Sequence, residues 1–127
     1  MVFIDKYINV LIIEPKKLPK VEKIENTLES KQKIVDGYIE YVSVPKYDDI
    51  LIICNEEGKL RHMEFNRDIG YDIIAGPMII VGEDKSGNDI SLTEEQIKKY
   101  KEVFDERSIN KTQEKVDKIL NNMDLLR

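Results

Sequence analysis

Cysteine, histidine and alanine each occur only once in this chain of 127 residues. The single cysteine, Cys54, excludes an intramolecular disulfide and is typical of a reducing cytosol. With one His and one Cys, the chain cannot form a standard zinc site. No apolar run approaches the ~20 residues that cross a bilayer, so we expect no membrane partner. The lone alanine, together with abundant Ile, Lys and Asn, favours an AT-rich bacterial or phage genome.

Charge and composition indicate one acidic, soluble domain. The chain is 41% hydrophobic and 35% charged, with a net charge of −5. Such a length and composition support a core without disulfides or metal. A negative surface repels phosphate backbones, so we expect no nucleic-acid partner. The first residues lack a basic region and a long apolar region, which predicts a cytoplasmic protein without a signal peptide.

Apolar periodicity and turn residues divide the chain into alternating strands and helices. A capping box at Thr93-Glu94-Glu95-Gln96 opens one helix, and Asn26 or Thr27 caps another, which ends at Gly37. The predicted strands span residues 7–14, 21–24, 38–44, 50–54, 60–65 and 78–81, and the predicted helices span 27–36, 93–107 and 112–127.

These elements predict an α+β fold with a four- to six-stranded, mostly antiparallel sheet. We expect residues 38–65 to form a meander, residues 66–76 to be irregular, and helices 27–36 and 93–107 to cover one face of the sheet. Residues 1–108 would form a single domain. Ser108 to Lys111 would break the chain before an appended amphipathic helix within residues 109–127.

Several short blocks of residues follow one another along the chain with defined spacing. They are Glu14-Pro15, Ile24-Glu25-Asn26-Thr27-Leu28, Gln32-Lys33-Ile34-Val35-Asp36-Gly37-Tyr38-Ile39-Glu40, Cys54-Asn55-Glu56-Glu57-Gly58-Lys59, Asn66-Arg67, Asp72-Ile73-Ile74-Ala75-Gly76 and Ser91-Leu92-Thr93. In this order the blocks resemble domain-of-unknown-function family 3846 over about residues 7–104. The resemblance implies a small α+β domain of bacteria, phages and other mobile elements, and it brings no established activity.

The best candidate binding group is Asn66-Arg67 beside Asn55 and Glu56. Arginine presents a fork of donors that fits a carboxylate or phosphate, and asparagine both donates and accepts. On adjacent loops over an open hollow, these groups would hold a small polar ligand or a partner. Alternatively, Arg67 pairs with Glu56 or Asp72 and only fixes the loops.

Two further polar residues are candidates for weaker reasons. Gln32 lies on the predicted apolar face of its helix with Leu28 and Val35, where a buried amide needs a partner: a loop backbone or a ligand. His62 could form an acid/base pair with Glu56, Glu64 or Asp72, although strand alternation leaves His62 on the solvent side. No catalytic set, metal site or cofactor is predicted, because the 84–89 segment lacks the final Glu of a calcium loop.

The favoured hypothesis is therefore a non-enzymatic accessory protein of a phage or mobile element. It would bind a host protein or a small polar, nucleotide-like ligand. A small hydrolase that uses Glu56, Asp72 or His62 is one alternative. The other is a structural module that forms a homodimer through residues 109–127, whose amphipathic helix is near neutral in charge.

Overall fold

The structure, a computed structural model that describes residues 5–125, is built on a six-stranded antiparallel sheet. Five strands follow the order β2-β1-β7-β4-β3, and β8 pairs with the far end of β7. A second sheet of two strands joins β5 to β6. The strands are β1 (Tyr7–Ile13), β2 (Lys20–Glu25), β3 (Ile39–Val42), β4 (Ile50–Asn55), β5 (Phe65–Asp68), β6 (Ile73–Ala75), β7 (Met78–Glu83) and β8 (Asp89–Ile90), and the helices are α1 (Leu28–Val35), α2 (Glu94–Val103) and α3 (Glu106–Leu125).

Strand β7 lies at the centre of the sheet and is apolar on both sides. Met78 and Ile80 belong to one core cluster, and Ile79 and Val81 belong to the other. This pattern follows from strand alternation, because successive side chains point to opposite faces. A continuous run of Ile and Val therefore indicates a strand that is covered on both faces.

Helices cover both faces of the sheet, which confirms the α+β class but corrects the expectation of a single covered face. Val35 of α1 packs in one cluster, whereas Tyr100 and Phe104 at α2 pack in the other. The β5–β6 hairpin shares the α2 side, where Ile69 and Ile74 join the core. The groove described below lies on this second face.

The predicted meander over residues 38–65 is wrong beyond its first hairpin. Strands β3 and β4 do pair, but β4 then pairs with β7 rather than with a strand at 60–65. Residues 56–62 form turns, and the segment expected to be irregular contains β5 and β6. The β5–β6 pairing carries a register shift, so these short strands lack the regular alternation that marks β7.

Helix α1 has the predicted caps but a different buried face. The Thr27 hydroxyl accepts the Ser30 N–H at 3.2 Å. Lys31 and Val35 are buried, whereas Leu28 is 52% exposed. The prediction that Leu28, Gln32 and Val35 form the buried face is therefore wrong. The helix instead buries Lys31 with Val35, because Lys31 pairs with the buried carboxylate of Asp89 on β8.

Helix α2 begins at the predicted capping box, but the helix boundaries after it differ from expectation. α2 ends at Val103, and the Asp105 carboxylate accepts the Arg107 and Ser108 N–H groups at the start of α3. The predicted break at Ser108 to Lys111 thus lies inside α3. The predicted helix end at 126–127 lies outside the described residues. Within residues 5–125, no helix is long and apolar enough to cross a membrane.

A buried ion pair fastens α1 to the sheet. The Lys31 ammonium lies 2.5 Å from Oδ2 of Asp89 on β8 and 2.9 Å from Oδ1 of Asn26. The Tyr41 hydroxyl donates to the same Asp89 oxygen at 2.6 Å. Burial and this carboxylate both raise the pKa of Tyr41, so the phenol stays protonated and keeps donating.

Removal of one partner should expose how much the Lys31–Asp89 pair contributes. Lys31→Met leaves a buried carboxylate with only the Tyr41 hydroxyl and should lower the free energy of unfolding by about 3 kcal/mol. The double variant Lys31→Met/Asp89→Asn removes that charge and should recover about 1 kcal/mol. Urea denaturation measures both, with Lys33→Met on the exposed side of α1 as the control. A Lys31→Met variant as stable as Lys33→Met would contradict the role of the pair.

Candidate functional site

An open groove of about 370 Å³ lies between the β3–β4 hairpin and β6. It is formed where β4 ends and the chain turns toward β5. Strand β3 supplies one wall, the turn after β4 supplies a second, and the segment that leads into β6 supplies the third. Its lining residues are Glu40, Val42, Cys54, Asn55, Glu56, Glu57, Gly58, Lys59, Leu60, Tyr71, Asp72, Ile73, Ile74 and Ala75.

The turn that shapes the groove begins at Asn55. Its side-chain oxygen accepts the Glu57 N–H at 2.8 Å, which turns the chain sharply at the end of β4. The Arg61 N–H then bonds the Glu57 carbonyl at 2.8 Å, as in a single helical turn. His62, with φ 56, ends that turn in the left-handed region. A helical turn here replaces the strand predicted at 60–65.

Gly58 allows this turn to approach β6 closely. A Cβ built at Gly58 would lie 2.4 Å from the Ala75 carbonyl oxygen, a distance that real atoms do not tolerate. The close approach of two backbones thus requires glycine at this position. The position of the turn against β6 fixes the width of the groove.

The groove carries an excess of negative charge. Four carboxylates line it, on Glu40, Glu56, Glu57 and Asp72, against the single ammonium of Lys59. Lys59 pairs with Asp72. Partial burial opposes ionisation of Asp72, but the Lys59 bond and the Ile73 N–H outweigh it and hold the pKa of Asp72 below its usual value. The other three carboxylates remain unpaired by any ion pair within residues 5–125.

Cys54 lies in the groove floor and is not a reactive thiol. Burial, together with the negative charges of Glu40 and Asp72, raises the pKa of Cys54 to about 11, and the positive charge of Lys59 only partly opposes this shift. A thiol with such a pKa is almost entirely protonated near neutral pH. The prediction that Cys54 is inert agrees with this environment.

Asn66 and Arg67 are buried away from the groove, so the structure does not bring them to Asn55 over an open hollow. Arg67 is 0% exposed and Asn66 is 2% exposed. The Asn66 amide donates to the Ile13 and Gly76 carbonyls at 2.7 and 2.9 Å. These bonds join β5 to the end of β1 and to the turn before β7.

Arg67 bonds carbonyl groups rather than a carboxylate. Its guanidinium donates to the carbonyls of Lys17 at 2.7 Å and Phe104 at 3.0 Å, and to the Asn66 side chain at 3.0 Å. Burial lowers the pKa of Arg67 to about 10, and the nearby Asp105 only partly opposes this shift. The expected pairing of Arg67 with Glu56 or Asp72 is therefore absent, and its side chain is used for internal bonds.

The remaining predicted residues fall in three places. Glu56 and Asp72 both line the groove, as a shared site requires. The Asn55 amide turns away from it and donates to the Val35 and Asp36 carbonyls at 3.0 and 3.1 Å, which caps α1. Gln32 lies on α1, across the sheet, and its carbonyl accepts the Gly37 N–H. Neither Gln32 nor Asn55 thus presents its amide to a ligand in this groove.

His62 lies in a different cleft, of about 440 Å³, between the turn and α3. It is exposed, as the sequence predicted, although on a turn instead of a strand. Glu64 lines that cleft together with His62, whereas Glu56 and Asp72 do not, so only one of the three proposed acid/base partners shares a cavity with His62. Within residues 5–125, no cluster of three or more His, Cys, Asp or Glu side chains is arranged to hold a metal ion.

Sequence reasoning missed Glu40, Lys59 and Tyr71 as groove residues. The signal for Glu40 was available, because a β3–β4 hairpin places it opposite Cys54 on one face with Val42. Lys59 follows Glu56 within the same turn. Tyr71 is 65% exposed and reaches β3, where its hydroxyl donates to the Ser43 carbonyl at 3.1 Å; no local pattern indicates that long-range contact.

Comparison with known proteins identifies a family and nothing more specific. Residues 8–105 match the family described as a domain of unknown function (DUF3846). No curated protein and no solved structure matches the chain. The matched residues contain the whole groove and end just before α3.

The buried contacts of Arg67 predict a structural role that lysine cannot replace. Arg67→Lys keeps the charge but loses the planar fork that reaches Lys17 and Phe104 together, and should lower the free energy of unfolding by about 2–3 kcal/mol. Arg61→Lys, on the exposed side of the turn, should change it by less than about 0.5 kcal/mol. Chemical denaturation measures both. Equal stability of the two variants would show that the Arg67 bonds do not hold the fold.

Proposed function

The chain belongs to the DUF3846 family, whose description names no activity, and we propose that it acts by binding a cationic group of a partner protein in the acidic groove. The observation that carries this proposal is the excess of carboxylates around a concave, partly apolar surface. Charged groups of one sign in a concavity attract the opposite charge. The proposal keeps the expected role of a non-enzymatic accessory protein of a phage or mobile element, with a host protein as the partner.

Charge separates a basic partner from the nucleotide-like ligand that the sequence suggested. A nucleotide needs donors and positive charge near its phosphates. The Arg67 fork that suggested a phosphate site is buried, and the one ammonium in the groove, Lys59, is engaged by Asp72. The groove therefore favours an ammonium or guanidinium group. Val42, Leu60 and Tyr71 add apolar surface for the stem of such a side chain.

Two substitutions of opposite charge test the sign of the ligand. Glu40→Gln should weaken the binding of a fluorescent pentalysine peptide about two- to fivefold at low salt. Lys59→Gln should strengthen this binding, because the substitution frees the Asp72 carboxylate from its ion pair. Glu114→Gln, which makes the same change in net charge on α3, is the matched control.

Fluorescence anisotropy measures the three affinities, with a fluorescent ATP analogue as the competing probe. Tighter binding of ATP than of pentalysine by the unsubstituted protein, or pentalysine binding that all three variants leave unchanged, would overturn the proposal.

We also propose, as a second candidate, that the end of α3 pairs with a second copy of the chain. The inward stripe of α3 includes Thr112 and Val116, which are both buried. The Thr112 hydroxyl accepts the Asp68 N–H of β5, and Val116 lines the cleft that contains His62. Farther along the same stripe, Ile119, Leu120 and Met123 are 46%, 50% and 57% exposed. The near balance of charge along residues 109–125 offers no repulsion between two such helices.

Substitution tests the dimer better than truncation, because removal of residues 109–127 would also remove the buried Thr112 and Val116. Leu120→Gln/Met123→Gln leaves those contacts in place. Sedimentation should show a concentration-dependent mass of two chains for the original protein and of one chain for the double variant. A single-chain mass for both, at up to about millimolar concentration, would end the dimer hypothesis.

A further inference from the structure

The outer edge of β3 adjoins the groove and has no neighbouring strand within residues 5–125. β3 is the last strand of its sheet, and its register places Ile39 opposite Asn55 and Tyr41 opposite Ile53. The Glu56 N–H donates to the Tyr38 carbonyl at 2.9 Å, so in this antiparallel ladder Glu40 also turns its backbone groups toward β4. The alternate residues, Ile39 and Tyr41, therefore direct their N–H and C=O groups outward.

We infer that the partner binds as an extended basic segment that adds a strand to this edge. The inference rests on the proposed function, because it assigns the cationic group of the groove to a side chain of that strand. An added strand would bond the outward groups of Ile39 and Tyr41. Every second side chain of the strand would then point to the face that carries Glu40 and the groove. The segment thus carries Lys or Arg at alternate positions.

The structure limits the length of the added strand. The Tyr71 hydroxyl bonds the Ser43 carbonyl, which closes the edge just after Val42. At the other end, the Arg61 guanidinium donates to the Asp36 carbonyl beside the turn at Gly37. About four to five residues of partner fit between these two points, at ~3.3 Å each. Tyr71, which is exposed and bonded to Ser43, forms the far wall against which the partner's side chains would pack.

Charge argues against a second copy of this chain as the occupant. Pairing β3 of one copy with β3 of another would bring two sets of groove carboxylates together, on chains that each carry a net charge of −5. Like charges across a contact of this kind are strongly unfavourable. A basic segment of a different protein satisfies both the open backbone and the acidic wall.

A pair of variants at Tyr41 tests the strand. Tyr41→Pro removes the outward N–H while the β3–β4 ladder, which uses Glu40 and Val42, remains. Tyr41→Val loses the same phenol but keeps the N–H, so it is the matched control. The probe is a blocked heptapeptide that alternates lysine and valine, measured by fluorescence anisotropy. We expect Tyr41→Pro to bind it at least tenfold more weakly than Tyr41→Val, and equal affinities would overturn the inference.

N-methylated forms of the heptapeptide repeat the test on the unsubstituted protein, in case Tyr41→Pro does not fold. One form carries methyl groups on the valine nitrogens and the other on the lysine nitrogens. An added strand turns only one of these sets toward β3, so one form should lose binding at least tenfold and the other should not. Loss in the valine form indicates antiparallel addition, and loss in the lysine form indicates parallel addition.

The outcomes separate this inference from the proposed function. If both methylated forms bind as well as the parent peptide, and Glu40→Gln still weakens them, the groove holds a cation but no strand is added. If neither the heptapeptide nor pentalysine binds the unsubstituted protein, both proposals fail. Loss of binding in one methylated form only, together with the Glu40→Gln effect, supports both.

Discussion

The buried pair Asn66–Arg67 on β5 is the interaction on which the arrangement of the α2 side depends. Two consecutive side chains bond the end of β1, the turn before β7, the loop at Lys17 and the corner between α2 and α3. Without these bonds, the buried carbonyls of Ile13, Gly76 and Phe104 would each lose a donor. The pair also holds the β5–β6 hairpin on the sheet, and the hairpin supplies one wall of the groove.

Local sequence predicted those parts of the fold that local forces decide. The β-branched runs of β1 and β7, the capping box at Thr93 and the cap at Thr27 all act within a few residues, so their patterns could be recognised. The order of strands depends on contacts between distant residues, such as Ile52 opposite Ile80, and no short pattern encodes them. Strand β5 could not be recognised either, because the register shift in its pairing with β6 disrupts the regular alternation of side chains.

The candidate site was predicted in part, and its errors have one physical cause. Polar residues between apolar strands mark either a ligand site or a buried network, and sequence alone does not distinguish the two. Glu56 and Asp72 proved to line a groove, whereas Asn66 and Arg67 proved to satisfy buried backbone. Lys31 shows the converse: a charge on a helix that reads as solvated surface is buried, because Asp89 lies opposite it in space.

The partners of Arg67 differ from the Asp89 partner of Lys31 in one property, namely whether they carry a charge. Arg67 donates to carbonyl and amide oxygens, which are neutral, whereas Lys31 donates to a carboxylate. A bond between two buried opposite charges must offset the desolvation of both of them. A substitution at either end of the Lys31–Asp89 pair therefore leaves a buried charge behind, whereas the network around Arg67 contains only the charge of Arg67 itself.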